Sequence, residues 1–155
     1  MRLVEKLLLL AKLYCVWFVA WLLGCVANTI YSYATAKDFV FQGVNHGSDA
    51  FDLAVETAVW SFPIALIAFP LIYAPLMFGL RRVLGGLNPP IIFPLTGAAL
   101  YLLPAALLFM QYKRDWFEAF LSSQNIGFHI VFFFTGLFFG LGFFVVLSAR
   151  KAGGL

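Results

Sequence analysis

Hydrophobic residues run almost unbroken through four stretches of the chain, and polar residues collect in the three gaps between them. The apolar stretches are residues 7–33, 57–80, 91–112 and 126–149. Each has the ~20 mostly apolar residues that a helix needs to cross the hydrocarbon core of a bilayer. The first is apolar except for Lys12 and Asn28. The second and third carry no charge, and neither does the fourth, which holds His129. The gaps are a long polar segment (32–56), a short turn (81–90) and a medium segment (113–125). The pattern predicts an all-α polytopic membrane protein, one domain over 1–155 with four transmembrane helices in a bundle.

Composition agrees. The chain is 63% hydrophobic and 11% charged, where soluble domains have about 45–50% apolar and about 25% charged residues. A chain this short has too little interior to hide so much apolar surface from water. The basic balance does not suggest nucleic acid, because the cations are scattered in pairs and form no stripe.

Those cations set the orientation instead. Placing both termini inside puts Arg2, Lys6, Lys12, Arg81, Arg82, Arg150 and Lys151 on the cytoplasmic side, against Lys37, Lys113 and Arg114 outside. Seven against three satisfies the positive-inside rule. Asp38, Asp49, Asp52, Glu56, Asp115 and Glu118 then lie outside, and Glu5 alone lies inside. Lys12 can snorkel to the inner headgroups. The expected location is a bacterial inner (cytoplasmic) membrane, with an N-in, C-in topology.

Leu22-Leu23-Gly24-Cys25 reads like a lipobox, and Arg2 and Lys6 ahead of it suit a signal peptide. Lys12 interrupts the apolar run, however, and the run continues past Cys25 to Ile30, beyond the 7–15 residues of a signal-peptide core. Trp17 and Trp21 are bulky for such a core. Cys25 is therefore expected inside an intact first helix. Cys15 lies ten residues, ~15 Å, from it along that helix, too far for a disulfide.

Several features bear on function. Pro63, Pro70 and Pro75 crowd the second span, and Pro94 and Pro104 occupy the third. Each removes a backbone donor and clashes with the carbonyl four residues back, so both spans are expected to kink. Gly136, Gly140 and Gly142 form a small-residue interface on the fourth span beside a ridge of phenylalanines, expected to let another helix approach closely. His129 sits one turn inside the outer end of that span, as a hydrogen-bonded interfacial histidine. In the outer loop Gly43 and Gly47 mark turns, and Ser48 or Asp49 is the expected N-cap of a second helix starting near Asp49. Asp49, Asp52 and Glu56 would share a face with His46 beside them, a solvated outer-face interaction site with donors that a metal could also use. Residues 114–122 are amphipathic and predict a short interfacial helix anchored by Trp116, Phe117 and Phe120. Lys37-Asp38-Phe39 and Arg114-Asp115-Trp116 look alike 77 residues apart, but the prolines fall in the wrong helices for a duplication.

The inventory also excludes. The spans hold no paired acids for a membrane aspartyl peptidase and no embedded glutamate for proton-coupled export. There is no CxxC, phosphate loop, zinc spacing or Ser-His-Asp set. The sequence thus predicts a non-catalytic subunit without catalytic residues, metal or cofactor, which stabilises or tethers a larger membrane assembly. Its partners would be membrane lipid and other subunits or copies of itself, not nucleic acid. The alternatives are a homo-oligomeric channel or transporter with proline-kinked pore helices, and a small membrane sensor or immunity protein acting through its outer loop.

Overall fold

The computed structural model describes residues 3–35, 46–84, 90–110, 116–121 and 125–152. The likeness between 37–39 and 114–116, the turn at Gly43 and the side chains of His46, Asp49 and Trp116 lie outside the described residues. The elements in chain order are α1 (Leu3–Thr35), α2 (His46–Ala68), a π-helical turn (Phe69–Tyr73), α3 (Ala74–Val83), α4 (Ile92–Ala99), α5 (Leu102–Phe109), α6 (Trp116–Leu121) and α7 (Ile126–Ala152). Among the described residues there is no strand. Four helical segments there are long and apolar enough to cross a membrane: Val4–Thr35, Phe51–Val83, Ile92–Phe109 and Ile126–Ser148. This is the build of a multi-pass membrane protein.

The helices of the first, second and fourth spans overrun their apolar stretches, because hydrophobicity marks the solvent and not the winding, while the third is described over Ile92–Phe109. The 33 residues of α1 reach about 50 Å at 1.5 Å per residue, beyond a hydrocarbon core of ~30 Å. Gly47 was expected in a turn and the second helix near Asp49, yet α2 already begins at His46. A glycine costs a helix interior only ~1 kcal/mol. In the first turn its N–H lacks a helical acceptor in any case, so it does not stop the helix.

The prolines act locally. Pro70 cannot donate to the carbonyl of Leu66, nor Pro75 to that of Leu71, and between them the helix loosens by one residue. The Ala74 N–H closes the wide turn onto the Phe69 carbonyl. This turn keeps the inward row in step. Thr57, Ser61, Ala65, Phe69, Tyr73 and Met77 are all buried at a strict spacing of four. In a uniform α-helix each such step advances ~40° beyond a full turn, and five steps would carry the row ~200° around the axis. The looser π turn takes up part of that drift. Pro104 breaks the third span differently. Its ring disfavours a helical carbonyl at Leu100, and the Leu100 carbonyl accepts instead from the Leu103 N–H at 3.2 Å. Tyr101 N–H tightens onto Ala98 at 3.2 Å, and Leu100 and Tyr101 separate α4 from α5.

α7 is the central helix and packs against α1, α2, α4 and α5. It runs antiparallel to α1: Asn28 lies at Gly127, Gly24 at Val131 and Thr135, and Val16 at Gly142. Between the helices Trp17, Phe69, Tyr73, Phe93, Phe109, Phe132, Phe139 and Phe143 are each less than 2% exposed. Their rings meet edge-on or tilted, as with Phe69 on Phe139 at 5.5 Å and 88° and Phe78 on Phe143 at 5.2 Å and 76°. Such geometries set the positive edge of one ring on the negative face of the next.

Candidate functional site

The glycine face of α7 is occupied from within the chain. A side chain on Gly136 would meet the backbone of Gly97 in α4, and one on Gly97 would meet that of Gly136. One on Gly140 would meet the Phe93 carbonyl and Pro94. Gly142 turns towards α1 and faces Val16. Without hydrophobic drive between helices in lipid, close backbone approach is a main source of association. Here it joins α4 to α7. The sequence reading missed Gly97, although Thr96-Gly97-Ala98-Ala99 is a cluster of small residues.

A second close contact joins α1, α2 and α7 near the end of α1 remote from the chain terminus. Asn28 is 1% exposed, and its Oδ1 would be 2.7 Å from a Cβ placed on Gly127, with Thr57 Oγ1 at 3.3 Å from the same point. Neither end of the Asn28 amide has a hydrogen-bond partner among the described residues. Thr57 satisfies its own hydroxyl by donating to the Leu53 carbonyl at 2.8 Å. One turn deeper, Trp21 Nε1 donates to Ser61 Oγ at 3.2 Å, and Ser61 donates to the Ala58 carbonyl at 3.1 Å. Thr135 Oγ1 donates to the Val131 carbonyl at 2.6 Å, beside Gly24. Apart from Asn28, whose polar character was noted, this polar seam was not anticipated. Isolated hydroxyls such as Thr57, Ser61 and Thr135 were its only signal, and most membrane hydroxyls merely bond back along their own helix.

His129 joins α6 to α7. Its Nε2 donates to the Phe120 carbonyl at 2.7 Å. A carbonyl oxygen only accepts, so the proton is on Nε2. Nδ1 is buried and has no partner among the described residues. The ring sits against Phe120 at 4.7 Å and Phe109 at 5.9 Å. The short helix expected over 114–122 is described for Trp116–Leu121. Of its expected anchors Phe117 is exposed. Phe120 is half-buried and contacts His129 and Phe109. Six residues make fewer than two turns, so Phe120 can point into the fold while Phe117 and Leu121 are exposed.

On α2, Asp52 and Glu56 are both exposed and lie one turn apart. Among the described residues, no three of His, Cys, Asp and Glu come together in a metal-holding group. Cys15 is exposed and Cys25 half-buried, both as free thiols within α1. Comparison of the chain with family models, with curated proteins and with solved structures found no match in any of the three.

Proposed function

We propose that the chain is a non-catalytic membrane subunit, a four-helix bundle in a bacterial inner membrane with both termini cytoplasmic, which packs into a larger assembly and stabilises or tethers it. The observation that carries this reading is the solid aromatic interior. Eight large rings fill the space between the helices at under 2% exposure, so the fold is built as a rigid body and not around a conduit. What it offers outward is apolar surface on every span, including Val59, Ile67, Leu95, Leu107 and Leu141. Lipid chains or neighbouring helices would cover that surface. Asp52 and Glu56 add an acidic face at the outer end of α2, suited to a basic segment of a partner.

The same surface weighs against a pore formed by several copies around the kinked helices. Leu66, Ile67, Leu71, Leu76, Leu95, Leu102 and Leu103 are exposed there, and a constriction lined by such residues dewets. Extracted in mild detergent from its native membrane, the chain is expected to run with stoichiometric foreign subunits, read by native mass and subunit identification. A homo-oligomer or an isolated monomer would remove the assembly reading. The topology is checked separately. A reporter active only outside the cytoplasm, fused after Leu155, should stay silent, and activity there would invert the orientation.

A further inference from the structure

Along the half of the α1/α7 contact nearer the chain termini, the two helices leave a groove open to the membrane. It has a volume of about 450 Å³, and its lining includes Cys15, Val16, Val19, Leu23, Gly142 and Val145. Gly142 lets Val16 pack directly onto α7, and the groove lies along this contact between the flanking side chains of the two helices. It closes beyond Leu23, where Gly24 meets Val131 and Thr135. From Cys15 to Leu23 it runs about 12 Å along the helix. That is most of the depth of one leaflet, whose hydrocarbon is half of ~30 Å.

A charge sits at its mouth. Lys12 is exposed and lies three, four, seven and eleven residues before Cys15, Val16, Val19 and Leu23, so it shares their face of α1. On α7 the same end continues from Val146, which also lines the groove, to Arg150 four residues on and Lys151 beside it. Lys6 lies further along α1, and Glu5 is the lone acid at this end. A lysine within an apolar span has to reach headgroup level, and Lys12 would do so at the end of an apolar channel most of a leaflet deep.

We propose that this groove binds one anionic phospholipid from the leaflet on the side of the termini. An acyl chain fills the groove, and the phosphate pairs with the Lys12 ammonium. A second helix is the poorer occupant, because the opening stops at mid-membrane and ends in positive charge. The site requires only that the chain sits in a bilayer. It goes beyond the assembly reading, which stands or falls on subunit composition instead.

The test uses the full chain in nanodiscs containing phosphatidylglycerol, phosphatidylcholine or both. Native mass spectrometry after release should show one retained phosphatidylglycerol, preferred over phosphatidylcholine. Lys12→Gln should reduce that preference by about fivefold, the weight of one lysine near an anionic surface. Val19→Trp and Val145→Trp replace exposed residues, so they fill the groove without touching the core, and each should abolish retention of either lipid. Independently, in a Cys25→Ser background, Cys15 should react with a membrane-permeant maleimide more slowly in phosphatidylglycerol than in phosphatidylcholine. Equal retention of the two lipids, an unchanged preference in Lys12→Gln, retention that survives both tryptophans, or a Cys15–Cys15 disulfide showing a second copy in the groove would each overturn the proposal.

Discussion

Gly136→Leu should unfold the contact between α4 and α7 and lower the stability of the chain by more than ~3 kcal/mol, the upper end for overpacked sites. The reason is what the new side chain would meet. Its Cβ alone runs into the carbonyl of Gly97, and backbone cannot swing aside as a flexible side chain does. Even Gly136→Ala or Gly97→Ala should be poorly tolerated, since each would collide with the other's backbone. Gly140→Ile should behave in the same way against Phe93 and Pro94. Gly79 supplies the control: it is exposed in α3, and nothing lies within 4 Å of a Cβ placed there. Gly79→Ala should be neutral or gain up to ~1 kcal/mol from helix preference. The measurement is thermal unfolding in detergent, followed by the loss of the monodisperse peak on size exclusion. Equal melting of Gly136→Leu and Gly79→Ala would mean that α4 and α7 do not approach at these glycines.

The second large effect is expected at Phe139, which is fully buried and touches Phe69, Tyr73 and Phe143. In a water-soluble core, replacing such a ring by alanine costs ~3–5 kcal/mol. Part of that cost is transfer from water, and it falls away when the separated helices also sit in lipid. What remains is the lost dispersion around the cavity, and Phe139→Ala should cost about 2 kcal/mol on the cavity scale of such truncations. Phe139→Leu should recover much of it. Val59→Ala, on an exposed face of α2, should change the melting by ~0.5 kcal/mol or less. A Phe139→Ala chain that melts with the wild type would show that the ring stack is incidental to stability.

The four spans were legible in the sequence because lipid imposes a coarse rule. A backbone without water must bond to itself, and an unbroken apolar run of sufficient length has few other conformations to adopt. The prolines were legible only in part: the bonding changes around Pro70, Pro75 and Pro104, where a missing donor is a local event, whereas Pro63 lies inside the continuous α2. Gly136 and Gly140 could be singled out as a close-packing face, but their partner could not. Choosing Gly97 needed the rotation and depth of α4 relative to α7, which depend on tertiary contacts such as Phe93 on Phe143 and Phe144 and not on local pattern. The contacts of Phe120 with His129 and Phe109 were not legible, because an amphipathic stretch specifies two faces and not which apolar residue finds a pocket. Here the His129 ring drew it in. The start of α2 was misplaced because Gly47 carries a turn signal that a first helical turn tolerates.

Of these features, the π turn at Phe69–Tyr73 reaches furthest beyond this one chain. It makes one residue of the second span surplus to the count that a regular helix would need to bring Ala65 and Met77 to the same side. A protein built on the same plan with a straight second span would carry one residue fewer between Ala65 and Ala74, and its inward positions would alternate threes and fours. Aligned with this chain, such a protein would show a single-residue gap in the middle of an apolar helix, where gaps ordinarily discredit an alignment. Here that gap would record a change of winding. The two prolines, Pro70 and Pro75, are the residues whose joint loss should accompany it.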